Sequence, residues 1–379
     1  MDVSEDAPAQ SEEPDGQPVK DTGEVSTENR FDLASLVKWL QALDQGLSGV
    51  PRVSQFSGGA SNITYLLRYP DRDLVLRRPP PGTKAASAHD MAREFRIQQA
   101  LEPVFPRVPK MVGLCPGEEV IGTPFYVMER VQGTILRGQA PREMNLDAQL
   151  ARSICQAAVD ALTELHRISV KEAGLSDLSK GTGYVARQVE GWSARFRDAR
   201  TWNVPSFSKT MAWLAVHQPE DLASCVIHGD FRLDNLVLAH EDPRRIVAIL
   251  DWEMATIGDP LMDLGSAMAY WIQASDDRFM QMLRRQPTHL PGMLTRAQFV
   301  KRYSQSSGRP IENWAFYEVF GLFRLAVIIQ QIYRRYHARE THNKAVRHYW
   351  LAVRYLNRRC LRLIDAHEKG RPATAGASL

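Results

Sequence analysis

The sequence predicts an α+β protein in two lobes: a small antiparallel sheet with one main helix, followed by a larger, mostly helical part. Three observations predict it. Short alternating runs with β-type composition occupy residues 53–56, 63–69, 74–77 and 125–128, and one helical stretch, about 85–101, separates the third from the fourth. After Gly133 apolar residues recur at helical spacing, with one β-rich exception at 226–250. The 379 residues suffice for two lobes that each bury a core.

Taken in order, residues 1–30 mix Pro, Gly, Ser, Asp and Glu with almost no large apolar side chains, so they are expected to form a disordered acidic tail. Nine acids stand there against Lys20 and Arg30; with +3 overall, the remainder carries about +10. Folding is expected to begin near Phe31, where Leu33, Leu36, Val37, Leu40 and Leu43 recur at helical spacing. The small lobe then runs over 31–129 and the larger over 130–379, with helices at about 145–166, 295–303, 313–336 and 344–364. Polar, Gly/Pro-punctuated loops at 171–184 and 201–208 could each line a substrate cleft.

A basic body can attract nucleic acid, headgroups or an anionic small molecule, so charge alone selects none of them. No dense Lys/Arg run is interleaved with aromatics, and no nucleic-acid partner is expected. The most apolar stretch, 314–333, is broken by Glu318 and Arg324, leaving an uncharged run at 325–333 too short to span a bilayer; a core helix is expected there, and no membrane span. The acidic N-terminus lacks the apolar segment of a secretory leader. Cys115, Cys155, Cys225 and Cys360 lie far apart, without zinc or disulfide-scaffold spacing, which fits reduced thiols and a cytoplasmic location. No protein partner is legible.

The chemistry concentrates in Cys225-Val-Ile-His-Gly-Asp-Phe-Arg-Leu-Asp-Asn-Leu-Val-Leu238, followed by Arg245-Ile-Val-Ala-Ile-Leu-Asp-Trp252. Protein kinases set a catalytic-loop Asp five residues before an Asn and place a metal-binding Asp on the next hairpin. Asp230, Asn235 and Asp251 keep that order and spacing. One carboxylate must face the acceptor hydroxyl, while an amide and a second carboxylate reach magnesium on the phosphate side. Asp230 is therefore the candidate catalytic residue, and Asn235 and Asp251 the candidate metal ligands. The turn at 241–244 would return the chain so that Asp251 comes back beside Asn235. Each residue alone has a bland reading, a turn or a helix cap; the agreement of strand, hairpin and spacing selects the functional one.

His228 reads as a brace of the loop rather than a proton carrier, and His166, on an apolar helical face, as a satisfied core histidine. Asp259 suits a helix N-cap with Pro260 at the first helical position. Asp263 stays open between a plain helix residue and a hydrogen-bond partner of the catalytic loop. Glu253 could approach a second metal and stands outside the assignment.

These motifs, His228-Gly-Asp230, Asn235, Ile249-Leu-Asp-Trp252, Gly258-Asp-Pro260 and Asp263-Leu-Gly265, resemble the aminoglycoside phosphotransferase and choline kinase-like superfamily, across about residues 33–363. Leu250-Asp-Trp-Glu-Met-Ala-Thr-Ile-Gly-Asp-Pro260 is particularly similar to the branch related to the kinase-like domain that animals fuse to acyl-CoA dehydrogenases. The resemblance implies a protein-kinase-like fold, ATP and Mg2+ as cofactors, and transfer of the γ-phosphoryl group to a small-molecule hydroxyl. It puts a nucleotide loop at Ser57, Gly58, Gly59, Ala60, Ser61 and Asn62. Val75 would roof the adenine, Arg77 on the same strand face would reach the phosphates, Glu94 would hold Arg77, and the backbone near Met128 and Glu129 would meet the base as a connector. Protein kinases use Lys where Arg77 stands; its forked cation can bind phosphate, yet the departure keeps a catalytically inactive nucleotide-binding module as the alternative. The branch implies a hydroxyacyl-CoA acceptor; aminoglycosides, choline and homoserine remain alternatives, the cationic ones ranked lower for a basic body.

Overall fold

The computed structural model describes residues 22–56, 62–80, 90–341 and 343–370. Two compact units emerge: Met1–Ala92 with Met111–Arg130, and Arg93–Lys110 with Val131–Leu379. Residues 93–110, which interrupt the first unit in sequence, group with the second.

In the first unit the described strands run β1 (Thr22–Gly23), then helix α1 (Leu33–Leu43), β2 (Arg52–Phe56), β3 (Ile63–Arg68) and β4 (Asp73–Arg78). Helix α2 (Met91–Leu101) follows in the chain, almost all of it in the second unit, and β5 (Met111–Cys115) and β6 (Phe125–Glu129) return to the first. The strands form one antiparallel sheet in the order β1-β2-β3-β4-β6-β5. Period-two alternation sends Leu74 and Leu76 of β4 into a core with Tyr65, Leu67, Phe125 and Val127, and Leu36 and Leu40 of α1 join it. The helix starts where expected because Asp32 caps it, accepting from the Ser35 amide at 3.1 Å.

The acidic tail needs correction at its end. Thr22 and Gly23 pair with Phe56 and Gln55, and the Asn29 carbonyl accepts from the Tyr65 hydroxyl and from Arg78, both at 2.8 Å. Edge-strand pairing and two buried donors hold a polar segment that composition alone leaves loose. The rest of the tail, residues 1–21, lies outside the described residues, as do 81–89, where the helix was expected to begin; the described α2 starts at Met91.

The second unit contains β7 (Thr134–Ile135), α3 (Ala148–Leu165), α4 (Tyr184–Ala199), α5 (Ser208–Val216), β8 (Cys225–Ile227), β9 (Leu236–Leu238), β10 (Ile246–Ile249) and β11 (Thr256–Gly258). Helices α6 (Pro260–Tyr270), α7 (Arg278–Met282), α8 (Arg296–Ser307), α9 (Trp314–His337) and α10 (Tyr349–Glu368) complete it. Two small antiparallel sheets, β10-β9-β7 and β11-β8, carry the β-rich segment. Asp147 caps α3, and Thr295 with Gln298 makes a capping box on α8. Helix α4 begins within the last residue of an expected loop, and a 3-10 turn at Lys344–Val346 precedes the true start of α10.

Helix α9 is long and apolar enough to cross a membrane, yet 61% of its most apolar window is buried inside the fold. It packs on α4, α5, α6 and α10. Its crossing with α6 is backbone on backbone: a Cβ at Gly321 would lie 2.1 Å from the Gly265 carbonyl oxygen, and one at Gly265 would lie 2.5 Å from the Tyr317 carbonyl oxygen. Glycine at both positions permits this approach, which brings Asp263 on α6 and Arg324 on α9 to the loop that follows β8.

Candidate active site

Strand β8 pairs with β11 and delivers the chain into His228-Gly229-Asp230. Gly229 adopts φ +78°, and an added Cβ would stand 2.6 Å from the Met254 carbonyl oxygen, so both conformation and space demand glycine. The turn is held from beneath by Asp263, whose carboxylate accepts from the His228 and Gly229 amides at 2.8 and 2.9 Å and meets His166 Nε2 at 3.1 Å. The question left open at this position is thus answered: Asp263 binds the loop. Burial alone would raise the Asp263 carboxyl, but its donors, His166 first and then His228, outweigh it and hold the group below the usual carboxylate range. His166 also meets the Tyr303 hydroxyl through Nδ1 at 2.7 Å, so both its nitrogens are satisfied within the core, as its apolar setting suggested.

His228 is fully buried and spends both ring nitrogens on the backbone. Nδ1 accepts from the Asp230 amide at 3.2 Å, and Nε2 donates to the Leu250 carbonyl at 3.0 Å. That pattern requires the neutral ring. Burial, against the opposing pull of Asp263, Asp230 and Asp251, pushes its pKa below the ordinary histidine value. The residue ties the Asp230 end of the loop to the end of β10 and has no free ring nitrogen with which to pass a proton to a substrate.

The same two ends are tied again through Asn235. Its side-chain amide donates to the Asp230 carbonyl at 2.9 Å and approaches Asp230 Oδ2 at 3.4 Å, while its carbonyl accepts from the Leu250 amide at 2.8 Å. Strands β9 and β10 pair Leu236 with Ile249, which sets Asn235 opposite Leu250 and Asp251 next in line. Asp251 sits at φ +69°, left-handed for a residue with a side chain, just before the turn Trp252–Met254. Trp252, wholly buried, donates to the Ile249 carbonyl at 2.7 Å and packs on His228 with centroids 4.8 Å apart. The structure therefore brings Asp230 and Asn235 into contact and sets Asp251 at the adjoining end of the β9–β10 hairpin. Among the described residues no group of three or more His, Cys, Asp or Glu forms a metal cage. An amide oxygen with one carboxylate is instead the sparse donor set that magnesium takes when phosphates complete its shell.

Two arginines that the sequence reading did not assign join the loop. Arg232 spans Asp230 Oδ2 at 3.4 Å and Asp234 Oδ1 at 3.2 Å, its Cζ 4.9 Å from the Tyr270 ring centroid. Burial raises the Asp234 carboxyl against the pull of Arg232. Arg324 donates to the Gly229 carbonyl at 2.7 Å. Burial, reinforced by Asp230, pushes the Tyr270 phenol up to about 12. The signal for Arg324 was present: a single cation inside an apolar helix, taken merely as an interruption.

The nucleotide candidates fall in both units. Val75 and Arg77 share the face of β4 opposite Leu74 and Leu76, and Val75 stands directly across from Met128 of β6, with Leu74 across from Glu129. Asn62 is buried at the start of β3, and Glu94, on α2, is 2% exposed in the second unit. The loop residues Ser57, Gly58, Gly59, Ala60 and Ser61 lie outside the described residues.

The profile of the phosphotransferase enzyme family matches residues 52–299. Acyl-CoA dehydrogenase family member 10 of Mus musculus is 35% identical over 325 residues, which cover 85% of this chain and 30% of that protein. The chain spans about 30–41% of the length of the first curated relatives it matches. A crystal structure from Ralstonia eutropha, assigned to the aminoglycoside phosphotransferases, superposes with a TM-score of 0.75 at 31% identity, covering 89% of this chain and 99% of that one. A thermostable mutant of aminoglycoside phosphotransferase APH(4)-Ia, in ternary complex with AMP-PNP and hygromycin B, shares the fold at 15% identity, with a TM-score of 0.55 over 87% of this chain and 98% of its own. The chain therefore belongs to the phosphotransferase enzyme family, with the kinase-like fold of the aminoglycoside phosphotransferases, in the branch that acyl-CoA dehydrogenase family members 10 and 11 also carry.

Proposed function

We propose that this small-molecule phosphotransferase moves the γ-phosphoryl group of ATP to a hydroxyl of its acceptor, with Asp230 as the catalytic residue. The observation that carries the reading is the double tie between loop and hairpin: Asn235 to the Asp230 carbonyl at 2.9 Å, and His228 from the Asp230 amide across to Leu250. Phosphoryl transfer asks little covalent chemistry of a protein and much positioning, so a carboxylate whose backbone is fixed at both its amide and its carbonyl suits the role. Asp230 would accept or orient the hydroxyl proton.

The donor set fits Mg2+. Asn235 spends its NH2 on Asp230, which leaves its oxygen as the ligating atom, and Asp251 supplies a carboxylate from the adjoining end of β10. Bound magnesium would neutralise charge developing on the phosphates. Val75, Arg77, Met128 and Glu129, with residues 57–62 and Glu94, are assigned to the nucleotide; the AMP-PNP complex of a protein with the same fold supports ATP as donor. For the acceptor we assign a hydroxyacyl thioester such as a hydroxyacyl-CoA, which the names of the dehydrogenase-family relatives support. Four free, buried cysteines suit a reducing cytoplasm.

The test is transfer of label from γ-labelled ATP across hydroxyacyl thioesters, aminoglycosides, choline and homoserine, with and without magnesium. Magnesium-dependent labelling of a thioester is expected. Magnesium-dependent ATP binding with no labelled product from any acceptor would favour the inactive-module alternative that Arg77 raises.

A further inference from the structure

Arg324 is 6% exposed on α9. Its guanidinium donates to the Gly229 carbonyl at 2.7 Å and lies over the Trp192 ring, Cζ 5.1 Å from the centroid. Among the described residues no carboxylate lies within ion-pair range of it, whereas Asp230 and Asp234 are both spanned by Arg232. A guanidinium has five N–H donors and the Gly229 carbonyl takes one of Arg324's, so the rest of the fork can meet an oxygen of a ligand. Bracing a loop carbonyl needs a single neutral donor. The charge and the fork exceed that need, and they stand one residue from Asp230. Arg232 also lies over the ring of the half-buried Tyr270, Cζ 4.9 Å from its centroid, so Asp230, Arg232 and Tyr270 adjoin one another next to the carbonyl that Arg324 holds.

We propose that Arg324 recognises the acyl oxygen of the acceptor, either the carboxylate of a hydroxy acid or the carbonyl of its thioester. The inference rests on the phosphotransfer reading and adds a constraint to it: the hydroxyl that is phosphorylated sits within a few bonds of an acyl oxygen. Arg324 is then a specificity-determining residue that takes no part in moving the proton.

The test compares straight-chain hydroxy acids, their N-acetylcysteamine thioesters and diols of matched length. Turnover is measured with ATP and magnesium, and thermal stabilisation with ADP and magnesium. Wild type is expected to favour the acids or the thioesters over the diols by about tenfold or more in kcat/KM, the effect of one charge-assisted hydrogen bond. Which of the two it favours identifies the source of the oxygen. Arg324→Gln should bring that ratio close to one through KM, and Arg324→Lys should restore part of it. Equal loss on all three compounds would mark a loop brace only and overturn the proposal, as would a wild type indifferent to the acyl oxygen. If no compound is phosphorylated but acid or thioester stabilises wild type and not Arg324→Gln, the phosphotransfer reading fails and recognition stands. If none stabilises wild type either, recognition fails.

Discussion

His228 shows how much of the site is decided by one buried ring. It must be neutral to accept from the Asp230 amide while donating to Leu250, and burial lowers its pKa accordingly. In the unfolded chain a histidine titrates near 6.5. Below that pH the unfolded state binds a proton that the folded ring resists, so the stability His228 contributes is complete above about pH 6.5 and is lost as pH falls toward its depressed folded value. Wild type should lose stability on going from pH 7.5 to 5.5, with up to about 1.4 kcal/mol per pH unit from this group. His228→Gln should show a shallower slope over the same window. Urea midpoints at several pH values measure both, and parallel slopes would mean that His228 is not the titrating brace.

At the scale of elements, the site is an effect of two helices crossing more closely than side chains allow. Gly321 of α9 and Gly265 of α6 meet backbone to backbone, and the residues that reach the loop, Arg324 and Asp263, lie within a turn of those glycines. An alanine in the middle of a helix is ordinarily favoured over glycine by about 1 kcal/mol. Here the new methyl would meet a carbonyl oxygen at 2.1 Å, and the helices must part to admit it. Gly321→Ala is expected to destabilise by about 2–3 kcal/mol, as overpacking does, and to lower turnover because the loop loses its floor. Denaturant unfolding with a kcat measurement checks the pair of effects; a variant as stable as wild type would remove the crossing from the account.

Across the whole molecule, what the sequence disclosed was what is local in the chain. Asp230, Asn235 and Asp251 belong to one loop and one hairpin, so their convergence follows from strand length and turn position. The alternation of β4 likewise set Val75 and Arg77 on one face, and the structure packs Leu74 and Leu76 into the core on the other. Contacts between distant segments stayed hidden. Gly265 and Gly321 mean nothing until two helices cross, Arg324 reads as a flaw in an apolar helix until its partner carbonyl is found, and Asp263 offered only an even choice. The end of the acidic tail was misjudged because its order comes from Tyr65, Arg78 and the edge of β2, none of them adjacent in sequence. Asp230 is the centre of the proposed chemistry, and the most direct test is label transfer from ATP by wild type and Asp230→Asn, with nucleotide affinity measured alongside. Loss of turnover by about 10²-fold or more, with magnesium-nucleotide affinity retained, is the result expected when a positioned general base is removed. An Asp230→Asn enzyme that labels its acceptor at the wild-type rate would contradict the account.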